Sequence, residues 1–137
     1  MIKFFRGEYK FLCNFSDSII KLNGFTFLNG EAAFQSFKNL EKQGEFQGLD
    51  PSSAKRKGRR VELRSDWEDI KDDVMYLVVK AKFEQNEDLR EKLLATGNMY
   101  IEEGNTWNDR YWGVCDGVGK NMLGKTLMRV RSELTNI

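Results

Sequence analysis

The chain of 137 residues carries 22 Lys and Arg against 21 Asp and Glu, a formal net charge of +1, and is 40% hydrophobic and 12% aromatic. That length and apolar content suit one domain with a real core and argue against intrinsic disorder, while the near-balanced charge argues against a surface that is a polyanion glove throughout. Histidine is absent, which removes Ser-His-Asp and Cys-His catalysis, histidine metal sites and an imidazole base, and leaves acid–base work to carboxylates, Lys, Tyr, Cys or bound water.

Cys13 and Cys115 lie far apart with no CxxC pair, so a reduced pair is expected rather than a disulfide or a zinc site. No apolar run has signal-peptide length or reaches the roughly 20 residues of a membrane span. A cytoplasmic protein with no membrane association is the expectation.

In chain order, IIKLNGFTFL places Asn23-Gly24 between two alternating apolar arms and predicts a β-hairpin over 19–28. Phe34, Phe37 and Leu40 then recur at helical spacing and predict a helix from Glu31 to about Gln43. Asp50-Pro51-Ser52 reads as the cap of a short basic helix, SAKRKGRR, weakened by Gly58. Ser65 to Glu68 matches a capping box, and Trp67, Ile70, Val74, Leu77, Val78 and Ala81 form the apolar stripe of a helix ending near Asn86. A further helix is expected over 87–96, a short strand at MYIEE, an irregular loop from Gly104 to Gly119, and a last helix over about 121–134. The chain, residues 1–137, therefore reads as one compact α+β domain, mainly helical, with an N-terminal hairpin and a small sheet.

Gly119 to Thr126 fits the P-loop pattern GxxxxGK[ST] letter for letter. A P-loop needs a preceding buried strand and a later acidic strand for magnesium, yet WGVCDGV is no such strand and only eleven residues follow Thr126. The P-loop reading is rejected. Glu31, Gln35, Lys38 and Lys42 share one face of the first predicted helix. A solvated stripe and a carboxylate–amine pair at a cleft edge both fit that spacing. The segment NTWNDRYWG packs three aromatics, an Asp and an Arg into nine positions, which suits a ligand platform; Trp107 and Trp112 suit core plugs equally. Trp67, on a clean stripe, reads as core. The cations Lys55, Arg56, Lys57, Arg59 and Arg60 suit either phosphates or solvent.

Taken together, FLCNF, GEAAFQSFK, AKRKGR, DWEDIK, KFEQN, LLATG, NDRYWG and GVGKNMLG, in that order, resemble the NADAR (NAD- and ADP-ribose-associated) family nearly end to end. The resemblance also accounts for the false P-loop, since Lys125 and Thr126 fill variable positions of GxNxLGxxLM. It implies the YbiA-like fold and cleavage of an N-glycosidic bond, either in phosphorylated riboflavin-pathway intermediates or between ADP-ribose and guanine bases. Carried over residue by residue, it places Glu31, Asp109, Trp67, Trp112 and Asn121 at the site. Together with the chemistry of that cleavage, the expected catalytic residues are Glu31, Asp109 and Lys38, and the expected substrate-binding residues Asn14, Lys55, Arg59, Trp67, Trp112 and Asn121. Ala32 and Cys13 stand where the family carries histidine and serine.

Such a reaction develops cationic charge on the ribose and negative charge on the leaving base, so it calls for a carboxylate near C1, a positioned water and donors toward the base. No metal or cofactor is expected. The expected partners are an ADP-ribose-containing or phosphoribosyl small molecule, or ADP-ribosylated nucleic acid. The alternatives are a module that binds ADP-ribose or a related nucleotide without turnover and, using the basic helix, a nucleic-acid-binding domain.

Overall fold

The computed structural model describes residues 1–136, which fall into two compact units: residues 14–87, and residues 1–13 together with 88–136. The fold is α+β and mainly helical.

Within the central unit, β1 (Asp17–Leu22) and β2 (Phe25–Asn29) form an antiparallel hairpin, with Leu22 opposite Phe25 and Ile20 opposite Phe27. Asn23 and Gly24 turn the chain with φ of 54° and 84°, the left-handed pair that the Asn-Gly signal predicts. Alternation buries Ser18 and Ile20 and exposes Ile19 and Lys21.

Helix α1 (Gly30–Ser36) follows directly, its first turn capped by Asn29, whose Oδ1 accepts the Ala32 amide at 2.7 Å. The helix stops seven residues short of the predicted end. Asn39 captures the Lys42 amide at 3.3 Å and opens a separate 3-10 turn, Leu40–Phe46, so Leu40 is exposed and Lys42 leaves the Glu31 face. Local capping here outcompetes helical propagation.

Helix α2 (Pro51–Arg60) begins as expected, with the Asp50 carboxylate accepting the Ser53 amide at 3.1 Å. Helix α3 (Trp67–Gln85) also forms, but the capping box does not. Asp66 holds the N-cap position while its carboxylate is gripped by Arg64 Nε at 2.6 Å and Nη2 at 3.1 Å. The buried arc of α3, which packs on β1 and α1, takes in Met75, Val79 and Phe83 and leaves Leu77 exposed.

In the other unit, Ile2 and Ile101 make one parallel bridge, with Ile2 N donating to Tyr100 O at 2.9 Å and Glu102 N to Ile2 O at 2.8 Å. The strand expected at MYIEE is reduced to this bridge because its partner is one short segment. Helix α4 spans Glu87–Ala95 and α5 spans Met122–Thr135. Leu123, Leu127, Val130 and Leu134 of α5 are buried, as their spacing predicts, and buried Arg131 donates to Thr96 Oγ1 at 3.0 Å. Among the described residues no helix is long and apolar enough to cross a membrane.

Candidate active site

Glu31 lies in the first turn of α1, half-buried, with its backbone N–H donating to Asn14 O at 3.0 Å. Asn14 is buried, and its Nδ2 donates to Met75 Sδ at 3.4 Å. A Cβ at Gly30 would stand 2.8 Å from Asn14 Oδ1, so glycine is what admits this asparagine beneath the helix start. Asn14, assigned to substrate on resemblance, here holds the Glu31 backbone in place.

One turn on, Gln35 Nε2 donates to Glu31 Oε1 at 2.8 Å. Gln35 is buried, and its own Oε1 has no hydrogen-bond partner. Turning the amide over would press that oxygen against the Glu31 carboxylate oxygen, so the contact with Glu31 fixes the orientation. Leaving a buried acceptor unmade costs about 1–3 kcal/mol, which marks this contact as one the fold maintains at some expense. Sequence reading placed Gln35 on the Glu31 face without a role; the sign it carried was the i, i+4 spacing alone.

Lys38, just past the end of α1, is half-buried, and its Nζ sits 5.7 Å from the centre of the Trp67 ring. Burial holds its pKa below the ordinary lysine value; the Glu31 carboxylate pulls it back up, while Arg59 and Lys55 push it further down. Glu31, Lys38, Lys55 and Arg59 thus share one electrostatic neighbourhood. Both Glu31 and Lys38 are half-buried, so this face is not a fully solvated stripe.

Trp67 is 5% exposed and meets Phe34 edge-on, centroids 5.2 Å apart. It sits under Lys38 in a cation–π contact, as a largely buried ring at the edge of the Glu31 face. Lys55 Nζ lies 5.9 Å from the centre of the Phe15 ring, and Arg59 is exposed.

The remaining assigned residues belong to the other unit. Asp109 Oδ1 accepts the amides of Tyr111 at 3.1 Å and Trp112 at 3.0 Å, closing an Asx-type turn. Buried Asn105 brackets it, donating to Asp109 O at 2.8 Å and accepting its amide at 3.0 Å. Trp112 is half-buried and meets Tyr111 edge-on at 4.8 Å. Trp107 is 63% exposed, which rules it out as a core plug.

Asn121 is 2% exposed, in a left-handed conformation with φ 56°. Its Oδ1 accepts the Glu103 amide at 2.9 Å, and its Nδ2 donates to Ile101 O at 2.9 Å and Tyr100 Oη at 3.3 Å. That amide is committed to shaping residues 100–103 and is not presented to a ligand as a donor. The segment before α5 holds isolated bridges and no strand, which agrees with rejection of the P-loop. Among the described residues no three His, Cys, Asp or Glu side chains gather as metal ligands.

A carboxylate held by a buried amide, near a lysine whose pKa burial lowers and two further cations, is a grouping of the kind found at functional sites. Residues 3–135 match the family model described as the NADAR domain, and the chain belongs to that family. It is 40% identical over 133 residues to N-glycosidase YbiA of Escherichia coli strain K12, covering 93% of this chain and 82% of that protein. A riboflavin biosynthesis protein of Vibrio vulnificus is 37% identical over 133 residues, covering 93% of this chain and 36% of its own length. The NMR structure of E. coli YbiA superposes with a TM-score of 0.86 at 36% identity, covering 99% of this chain and 86% of that one.

Proposed function

We infer that this protein hydrolyses the bond between ribose C1 and a nitrogen of its base in a phosphorylated substrate, with Glu31 and Lys38 at the reacting atoms. It is an enzyme of the N-glycosidase class, the class named for relatives that match it over nearly its whole length. The observation that carries the residue assignment is the Glu31 carboxylate held by Gln35 at 2.8 Å within the electrostatic reach of a half-buried Lys38.

As the C1–N bond breaks, its electron pair leaves with the nitrogen and positive charge develops on the ribose. Glu31 stabilises that charge and accepts a proton from the water whose oxygen bonds to C1. The Lys38 ammonium, partly desolvated and so more willing to give up its proton than an ordinary lysine, protonates the departing nitrogen. Lys55 and Arg59 face the substrate's phosphate oxygens.

Phosphorylated riboflavin-pathway intermediates are the first substrates to test, a choice supported by the name of the Vibrio relative. ADP-ribosylated guanine, free or in nucleic acid, is the second, on the family's description. Cys13 and Cys115 are not joined in a disulfide, which fits a reducing compartment, and we place the enzyme in the cytoplasm. Incubation with a panel of these N-glycosides and mass detection of the freed base or ribose tests the reading. Saturable binding with no product after long incubation would replace it with a non-catalytic binding module.

A further inference from the structure

Helix α2 carries five cations and no carboxylate, in a chain whose net charge is only +1. At about 100° per residue, those cations cannot share one face. Ala54 and Gly58 are buried, with Gly58 against the Gln35 amide. Lys55 and Arg59 lie to one side of that buried strip and act on Lys38. Ser53, Arg56, Lys57 and Arg60 fall together on the other side. There they line an open groove of about 430 Å³ with Lys42, from the 3-10 turn, and Glu62.

We propose that this groove is a second anion site, distinct from the Glu31–Lys38 face, that takes phosphate oxygens. Its volume lies within the range of about 300–1,000 Å³ typical of small-ligand sites. Four cations converge on it against one lining carboxylate. The counter-ion now in place is exposed Glu45, whose carboxylate meets Lys57 Nζ at 2.7 Å and Lys42 Nζ at 3.9 Å. Exposed pairs of this kind contribute little to stability, so a dianionic phosphate can take the place of Glu45 without unfolding its surroundings. Arg56 is braced by Ser53 Oγ at 3.1 Å, which in turn donates to Asp50 Oδ1 at 2.5 Å. This pre-orders one guanidinium for bidentate contact with phosphate oxygens.

Such phosphates come either from a free phosphate ester or from the backbone of a nucleic acid. The test titrates the full chain with inorganic pyrophosphate and, separately, with a single-stranded oligothymidylate, following amide shifts of α2 and the 3-10 turn. Saturable shifts with pyrophosphate, weakened about tenfold or more in the double variant Arg56→Gln/Arg60→Gln and strengthened in Glu45→Gln, are expected. Oligonucleotide binding whose log–log salt slope falls by about 0.7 for each cation removed assigns the groove to a nucleic-acid backbone; pyrophosphate binding alone assigns it to a free ester. No binding of either probe, or binding that the double variant leaves unchanged, overturns the site. Hydrolysis of a small N-riboside by the double variant should equal wild type, so failure here is distinguishable from failure of the glycosidase reading.

Discussion

Gly58 of α2 and the side-chain carbonyl of Gln35 in α1 fill one volume between them, so that a Cβ added at Gly58 would overlap Gln35 Oε1. The other end of the same amide donates to Glu31. A backbone position on a basic helix thereby sets the orientation of a carboxylate on a different helix.

Gly58→Ala reverses the usual expectation for a helical glycine. Helix propensity alone would favour alanine by about 1 kcal/mol. Overpacking against Gln35 should instead cost about 1–3 kcal/mol and lower turnover, because the amide that holds Glu31 must move. Chemical denaturation and single-turnover assays check both; a stabilised, fully active variant would show that the contact yields freely.

Glu31→Gln keeps size and an acceptor for Gln35 Nε2 but removes the charge and the base. Turnover should fall by roughly 10² to 10⁴ with melting temperature and substrate affinity nearly unchanged. Single-turnover rates within about threefold of wild type, where 1.4 kcal/mol is a factor of ten, would hand the catalytic carboxylate to another residue.

Lys38 carries the pH dependence. Its pKa is lowered first by burial, with Arg59 and Lys55 adding to the effect and Glu31 opposing it. The alkaline limb of kcat should therefore begin below the ordinary lysine range, and Arg59→Gln, which removes a like charge, should move it to higher pH. For stability the sign follows from the folded pKa lying under the unfolded one. Stability rises with pH between the two values, where the unfolded chain holds the extra proton. Lys38→Met should remove that pH-dependent rise, increase stability at neutral pH and abolish turnover. Superimposable pH–rate profiles for wild type and Arg59→Gln would take Lys38 out of proton transfer.

Asn121 and Lys125 share a false phosphate-loop motif and should behave oppositely. Asn121→Ala strands the Glu103 amide and the Ile101 carbonyl and should cost about 1–3 kcal/mol for each buried group left unpaired, read by denaturant melts. Exposed Lys125→Ala should leave fold and turnover intact. Measurable ATP binding by wild type, lost in Lys125→Ala, would reinstate the phosphate loop.

What the sequence by itself determined is what neighbouring residues decide between them. Asn23-Gly24 dictates the hairpin because both positions need positive φ. Asp50-Pro51 starts α2, and the periodic apolar residues of α3 and α5 form those helices over nearly the expected spans. The motif order also identified the family, and with it the glycosidic chemistry, without any coordinates. Only the three-dimensional structure decided which of several competing local contacts form and which distant residues meet. Asn39 ended α1 early and sent Lys42 to the α2 groove, and Arg64 took the Asp66 carboxylate away from capping. Packing against Phe34 and under Lys38 placed Trp67 at the edge of the Glu31 face. Helical spacing can divide the α2 cations into two rows. Which row faces Glu31 was set by the fit of Gly58 on Gln35, a contact between residues 23 positions apart that no local pattern encodes.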